Sequence, residues 1–203
     1  MVALVVIGYL VYANSLLGKF LWDDESQIVG NPLVHSVKNI GYFFGGGTFV
    51  DAARSETLQS GLYYKPALMT VYAVVLALFG QKPFFFHFFQ VSFHVFNAIL
   101  LFLLFKRFFK DWLAFFGALV FLVHPINVES VAYISGLQEV LFFLFGISAL
   151  LLVFGRKHTA WRIGFINVLL LLAIFAKETG LLFFVIVVGA VYLFKRKRRL
   201  DYV

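Results

Sequence analysis

The feature that most constrains this chain is a series of long apolar runs, each closed by a basic cluster or a polar turn. Met1–Leu17 carries no charged side chain, and comparable runs recur as roughly Met1–Phe20, Phe84–Phe105, Lys110–His124, Ile134–Phe154, Thr159–Ala176 and Thr179–Phe194. A helix that crosses a bilayer needs about 20 mostly apolar residues, with about 17 as a lower limit. Six spans are therefore expected, the third and sixth short enough to need tilt or extended ends. Of the 203 residues, 62% are hydrophobic and 13% charged. A soluble domain has about half its residues apolar and about a quarter charged. One water-soluble core cannot hide that surplus, so the expected fold is all-α, a polytopic membrane helix bundle.

The net charge of +7 would suit nucleic acid, but its distribution does not. Eleven of the 17 basic residues fall in three clusters: Lys106, Arg107 and Lys110; Arg156, Lys157 and Arg162; and Lys195–Arg199. Each cluster ends an apolar run, the pattern of cytoplasmic loops in membrane proteins. Nucleic acid is thus no expected partner; membrane lipid is. The absence of cysteine excludes disulfides and thiolate metal sites. Met1–Leu17 lacks a basic start and a small-residue cleavage site, so it reads as an uncleaved anchor and not as a signal peptide.

The expected layout is one membrane module. Residues 1–20 form its first span, 21–82 an outer loop with an interfacial helix, 83–194 five further spans, and 195–203 a basic cytoplasmic tail. Gly45-Gly46-Gly47 marks the long connection as loop-rich. Pro66–Gly80 is apolar but only 15 residues long. If it crosses, the acids of the first loop lie on the cytoplasmic side. If it lies in the interface, eight of the ten acids share the opposite face: Asp23, Asp24, Glu25, Asp51, Glu56, Glu129, Glu139 and Glu178. Its short length favours the interfacial placement.

Polar groups at membrane depth avoid lipid, and ionisable ones are candidates for function. His87, Gln90, His94 and Asn97 are spaced three, four and three apart, one stripe along a helix face. Interhelical hydrogen bonds would account for it; a histidine metal site would lack a carboxylate on the same helix. His124-Pro125 breaks one run and Glu129 opens the next, where a helix macrodipole would also favour an acid. Lys177 and Glu178 sit between two apolar runs, with Gly180 easing the bend. Tyr64 and Lys65 close the long loop in "YYKP", where the lysine suits an anion or simply snorkels.

Taken in order, "WDD" at Trp22–Asp24, Asn31-Pro32, "YYKP", the His87–Asn97 stripe, the His124–Ile134 segment and "KET" at Lys177–Thr179 resemble the GT-C fold glycosyltransferases. The nearest branch is the protein O-mannosyltransferase type, whose membrane part is usually followed by tetratricopeptide repeats. The resemblance runs from Trp22 to Glu178. It implies a membrane enzyme that moves a mannose-like sugar from a polyprenyl-phosphate carrier to a protein or lipid hydroxyl. Transfer would occur with inversion, on the periplasmic or luminal face of a cell inner membrane or ER membrane. The family's acidic pair is filled here by Asp23-Asp24 or Asp24-Glu25. Its arginine near the position of Leu137 is absent. Family members carry further helices and often repeats, so the chain is expected to be a truncated copy, a fragment or half of a split enzyme, with a missing C-terminal half or repeat domain as partner.

The chemistry that this resemblance implies explains acids at a membrane mouth. A hydroxyl attacking an anomeric carbon must lose a proton, and a carboxylate where helix meets water can take it. Asp24 is the expected base, since related acidic pairs place an apolar residue four positions later, here Ile28; Asp23 is the alternative. The leaving phosphate needs cationic donors, for which Lys65, Lys177 and His124 are the candidates, with Tyr64, Glu129 and Glu178 as further substrate contacts. A divalent metal held by Asp23, Asp24 or Glu25 is a further option. Two other readings remain at this stage. One is a small transporter whose stripe and Glu129 line a path, though no inverted repeat is visible. The other is a non-catalytic remnant that binds lipid or a partner.

Overall fold

The computed structural model describes residues 1–46, 64–155 and 159–200, the last seven of these as backbone only. Gly47, Asp51, Glu56, Arg156 and Lys157 lie outside the described residues, as do the side chains of Lys195–Arg199. The described chain is helical, with no strand. Its helices are α1 (Val2–Val11), α2 (Ile40–Phe44), α3 (Pro66–Phe79), α4 (Pro83–Phe105), α5 (Asp111–Val123), α6 (Val128–Ala132), α7 (Leu137–Val153), α8 (Ala160–Ala176) and α9 (Leu181–Leu200).

Two described segments are long and apolar enough to cross a membrane by length and composition, Pro83–Phe105 and Ile134–Val153. A third arises if Asp111–Val123 and Pro125–Ala132, bent by 46° at their junction, count as one span. Val2–Val11, Pro66–Phe79, Ala160–Ala176 and Glu178–Leu193 are shorter apolar helices. The first expected span accordingly divides into α1 and a 3-10 turn, Ala13–Leu17. The outer surface is apolar as well as the core: Phe116, Val120, Leu171 and Val185 are exposed, as helices facing lipid require. Between helices, small residues permit close approach. A Cβ on Gly8 would lie 2.5 Å from Val95, and one on Gly146 would meet the Phe183 ring at 2.1 Å.

The two ends of the bundle differ in charge. At one end Lys106 pairs with Asp111 at 2.9 Å, and Arg107 Nη1 donates to the carbonyl of Phe154 at 2.8 Å. This joins the C-termini of α4 and α7 to the start of α5. At the other end gather the first loop, the start of α7 and the turn between α8 and α9. Helix α3 begins and ends against elements of the first loop. Beside its start, the Tyr64 hydroxyl donates to the carbonyl of Phe44. Just past its end, Gln81 Nε2 lies 3.3 Å from His35 Nε2. In its middle, the buried Tyr72 donates to the carbonyl of Ile134 at 3.1 Å.

The α4 stripe repairs broken backbone. Pro125 has no N–H for the carbonyl of Phe121, which instead accepts from Asn127 Nδ2 at 2.7 Å. The Ile126 N–H turns to His124 Nδ1. The carbonyl of Leu122, left without its helical donor, is met by Tyr12 Oη at 3.3 Å and His94 Nε2 at 3.1 Å. Gln90 Nε2 donates to the carbonyls of Ser130 and Tyr133, both at 2.7 Å, where α6 ends. Asn97 Nδ2 donates to the carbonyl of Val140 at 2.9 Å. These bonds satisfy backbone groups that lipid cannot.

Candidate functional site

The acids of the first loop part company in the fold. After Gly18, the chain turns at Leu21–Glu25 and enters a π-helical segment, Glu25–Val29. Asp24 is 1% exposed and Asp23 is exposed. Asp24 Oδ2 accepts the Leu21 N–H at 3.0 Å. Its Oδ1 accepts both the Ser135 N–H at 2.8 Å and the Ser135 hydroxyl at 2.5 Å. Both oxygens are thus engaged, and the residue fastens the first loop to the segment before α7. Asp23 contributes its backbone N–H to Tyr133 Oη at 3.1 Å, and its side chain is exposed. Glu25 is exposed beside it.

Trp22 adopts φ +44°, a left-handed conformation that is rare for a bulky side chain. It is 84% exposed and meets the Tyr133 ring edge-on at 6.2 Å. The strained residue is held between Leu21 and Asp24, which are tied by hydrogen bonds on either side. Burial raises the Tyr133 phenol above its ordinary value of 10.0, so it stays protonated.

The cations approach from the far side. Lys65 caps α3 and is buried, 8% exposed. Burial pushes its ammonium below the ordinary lysine value, against the opposing attraction of Glu178; Lys177, Glu139 and Asp23 also act on it. Lys177 pairs with Glu139 across the α7–α8 interface. Glu178 is exposed at the start of the turn to α9. Tyr64, besides its bond to Phe44, packs edge-on against Phe175 at 5.9 Å. Lys65, Lys177, Glu178 and Asp23 therefore share one electrostatic neighbourhood.

His124 and Glu129 play other parts. His124 is exposed and caps a 3-10 turn through its Nδ1. Glu129 is exposed in the first turn of α6. Among the described residues, no group of three His, Cys, Asp or Glu could hold a metal ion, so Asp23, Asp24 and Glu25 do not form one. The sequence reading left Tyr133, Ser135 and Glu139 without a role. Ser135 and Glu139 lie in the "ISGLQEVL" stretch, and the unusual run of polar residues at the mouth of an apolar helix was the available signal.

Comparison with known proteins gives relatives of one kind. The chain is 34% identical over 134 residues to the human protein O-mannosyl-transferase TMTC1, covering 65% of this chain and 15% of that protein. It is 25% identical over 206 residues to the Caenorhabditis elegans protein O-mannosyl-transferase F38B6.6, covering 98% of this chain and 29% of that protein. Human protein O-mannosyl-transferase TMTC3 is 29% identical over 140 residues, 69% of this chain and 15% of its own length. The chain thus spans less than a third of the length of these curated relatives. No family model and no solved structure matches. By sequence, this membrane helix bundle is similar to the stretch that it covers of proteins named protein O-mannosyl-transferase.

Proposed function

We propose that this chain is an integral-membrane glycosyltransferase module that moves a mannose-like sugar from a polyprenyl-phosphate carrier to a protein or lipid hydroxyl. The observation that carries this reading is that an exposed Asp23 carboxylate and the buried Lys65 ammonium lie at the same end of the bundle, within electrostatic reach of each other. The names of the relatives support the mannosyl class. In this reading α3 lies in the interface, since both of its ends touch the first loop. The site then faces away from the basic end of the bundle, toward the lumen or periplasm.

Asp23 serves as general base for the acceptor hydroxyl, in place of Asp24, which the sequence favoured. A base must reach the substrate hydroxyl, and Asp24 is 1% exposed with its carboxylate held by three hydrogen bonds. As the sugar–phosphate bond breaks, charge collects on the leaving phosphate. Lys65 stabilises it there, with Lys177 beside it. One base and no covalent intermediate give inversion at the sugar. The carrier's tail stays in the bilayer while its phosphate meets the lysines at the interface.

Radiolabelled transfer from polyprenyl-phosphate mannose, measured with purified protein in lipid, tests this. Asp23→Asn should lower turnover about 10²–10⁴-fold while donor binding persists. Wild-type turnover by Asp23→Asn would remove Asp23 as the base. A wild-type chain that binds donor and never transfers would support a non-catalytic binding module instead.

A further inference from the structure

Beneath the charged mouth lies a cavity of about 140 Å³ between α4, α5, α6 and α7. One water needs only about 10–15 Å³ of such space, so the cavity has room for a pyranose ring or a small water cluster. Five polar residues line it: His94, Asn97, Asn127, Ser130 and Glu139. The ring of Phe143, stacked on Phe121 at 4.9 Å, supplies an apolar wall.

The hydrogen bonding of this lining is incomplete in one sense only. Asn97 is 1% exposed, and its Nδ2 is used on Val140, but its Oδ1 has no partner. Gln90, about two turns earlier on the same stripe and outside the lining, is likewise buried, with both amide bonds made through Nε2 and Oε1 unpartnered. The unmet groups are acceptors, so the complementary ligand must donate. No lysine or arginine lines the cavity, and Glu139 brings a carboxylate to its wall. That combination repels phosphate and suits neutral hydroxyls. Glu139 also pairs with Lys177, which puts one wall of the cavity against the lysine that stands beside Lys65 in the proposed phosphate site.

We propose that this cavity is the hydroxyl-binding subsite for the transferred hexose, with Asn97 Oδ1 accepting from one sugar hydroxyl and Phe143 facing the ring's C–H side. This rests on the glycosyltransferase reading and deepens it. The division of labour is physical: lysines at the mouth take the anion, and an amide-lined cavity behind them takes the neutral sugar.

The test compares binding of polyprenyl-phosphate mannose with that of bare polyprenyl phosphate by the protein in nanodiscs. Wild type should prefer the mannosylated carrier by about tenfold or more, and Asn97→Leu should erase the preference while leaving bare carrier binding unchanged. Because Asn97→Leu also loses the bond to Val140, Ser130→Leu, which fills the cavity from another wall, should erase it as well. An undiminished preference in either folded variant would overturn the sugar subsite and leave the cavity to water. If wild type binds both carriers equally, the subsite fails while the phosphate site stands. If wild type binds neither carrier, the glycosyltransferase reading itself falls, and the subsite with it.

Discussion

Ser135 holds Asp24 with two hydrogen bonds on one carboxylate oxygen, from its backbone at 2.8 Å and its hydroxyl at 2.5 Å, across 111 positions of sequence. The pair closes the first loop onto the mouth of α7. A hydrogen bond to a charged group contributes about 1.5–3 kcal/mol, and orphaning a buried donor adds to the cost. Asp24→Asn replaces one accepting oxygen with an amide that faces N–H donors. It should lower the melting temperature of the solubilised protein far more than Asp23→Asn does. Ser135→Ala, which keeps the backbone donor, should fall between them. Equal melting temperatures for Asp24→Asn and wild type would show that the lock contributes nothing.

Lys65 should give the site an alkaline limit. Burial holds its ammonium below the ordinary value of 10.5. Between the folded and unfolded values the unfolded chain binds more protons, so stability rises with pH in that window. The added stability is lost again as pH falls through the folded value. Anion binding runs the other way, because the deprotonated lysine cannot hold phosphate. Donor affinity should therefore fall before pH 10.5 is reached. Lys65→Arg, charged throughout, should move that fall to higher pH. Identical pH profiles for the two proteins would take Lys65 out of the phosphate contact.

Sidedness can be read with cysteines, since the chain has none. Lys38 is exposed in the first loop, and Thr159 is exposed at the start of α8. In sealed vesicles with the cytoplasmic face outward, an impermeant thiol reagent should label Thr159→Cys and spare Lys38→Cys. The reverse pattern would invert the bundle and put the acids on the cytoplasmic side.

Gly180 sets the distance between the α8–α9 turn and α8. A Cβ there would lie 2.3 Å from the carbonyl carbon and oxygen of Ala173, which are backbone and cannot swing aside. Gly180→Ala should destabilise the protein by about 1–3 kcal/mol, the usual penalty of overpacking. It should also displace Lys177 from Glu139, weakening donor binding. Unchanged stability and binding would mean that the turn can shift freely.

Much of this organisation was legible in the chain itself. Apolar runs and basic clusters gave the helix class and the end of the bundle that carries positive charge, because lipid tolerates neither exposed backbone nor stray charge. The spacing of His87, Gln90, His94 and Asn97 put them on one face, and interhelical bonding is what three of the four do. The order of small motifs pointed to the relatives that comparison returned. What sequence alone left open was which acid of the Asp23-Asp24 pair is exposed. Adjacent residues share composition, spacing and hydropathy. Their opposite fates follow from Ser135, a partner 111 residues away. The pairing of Lys177 with Glu139 and the cavity behind it are of the same kind. Local pattern determined the helices, through the lipid that every segment meets on its own. The site depends on contacts between distant segments, and only the packed bundle decides those.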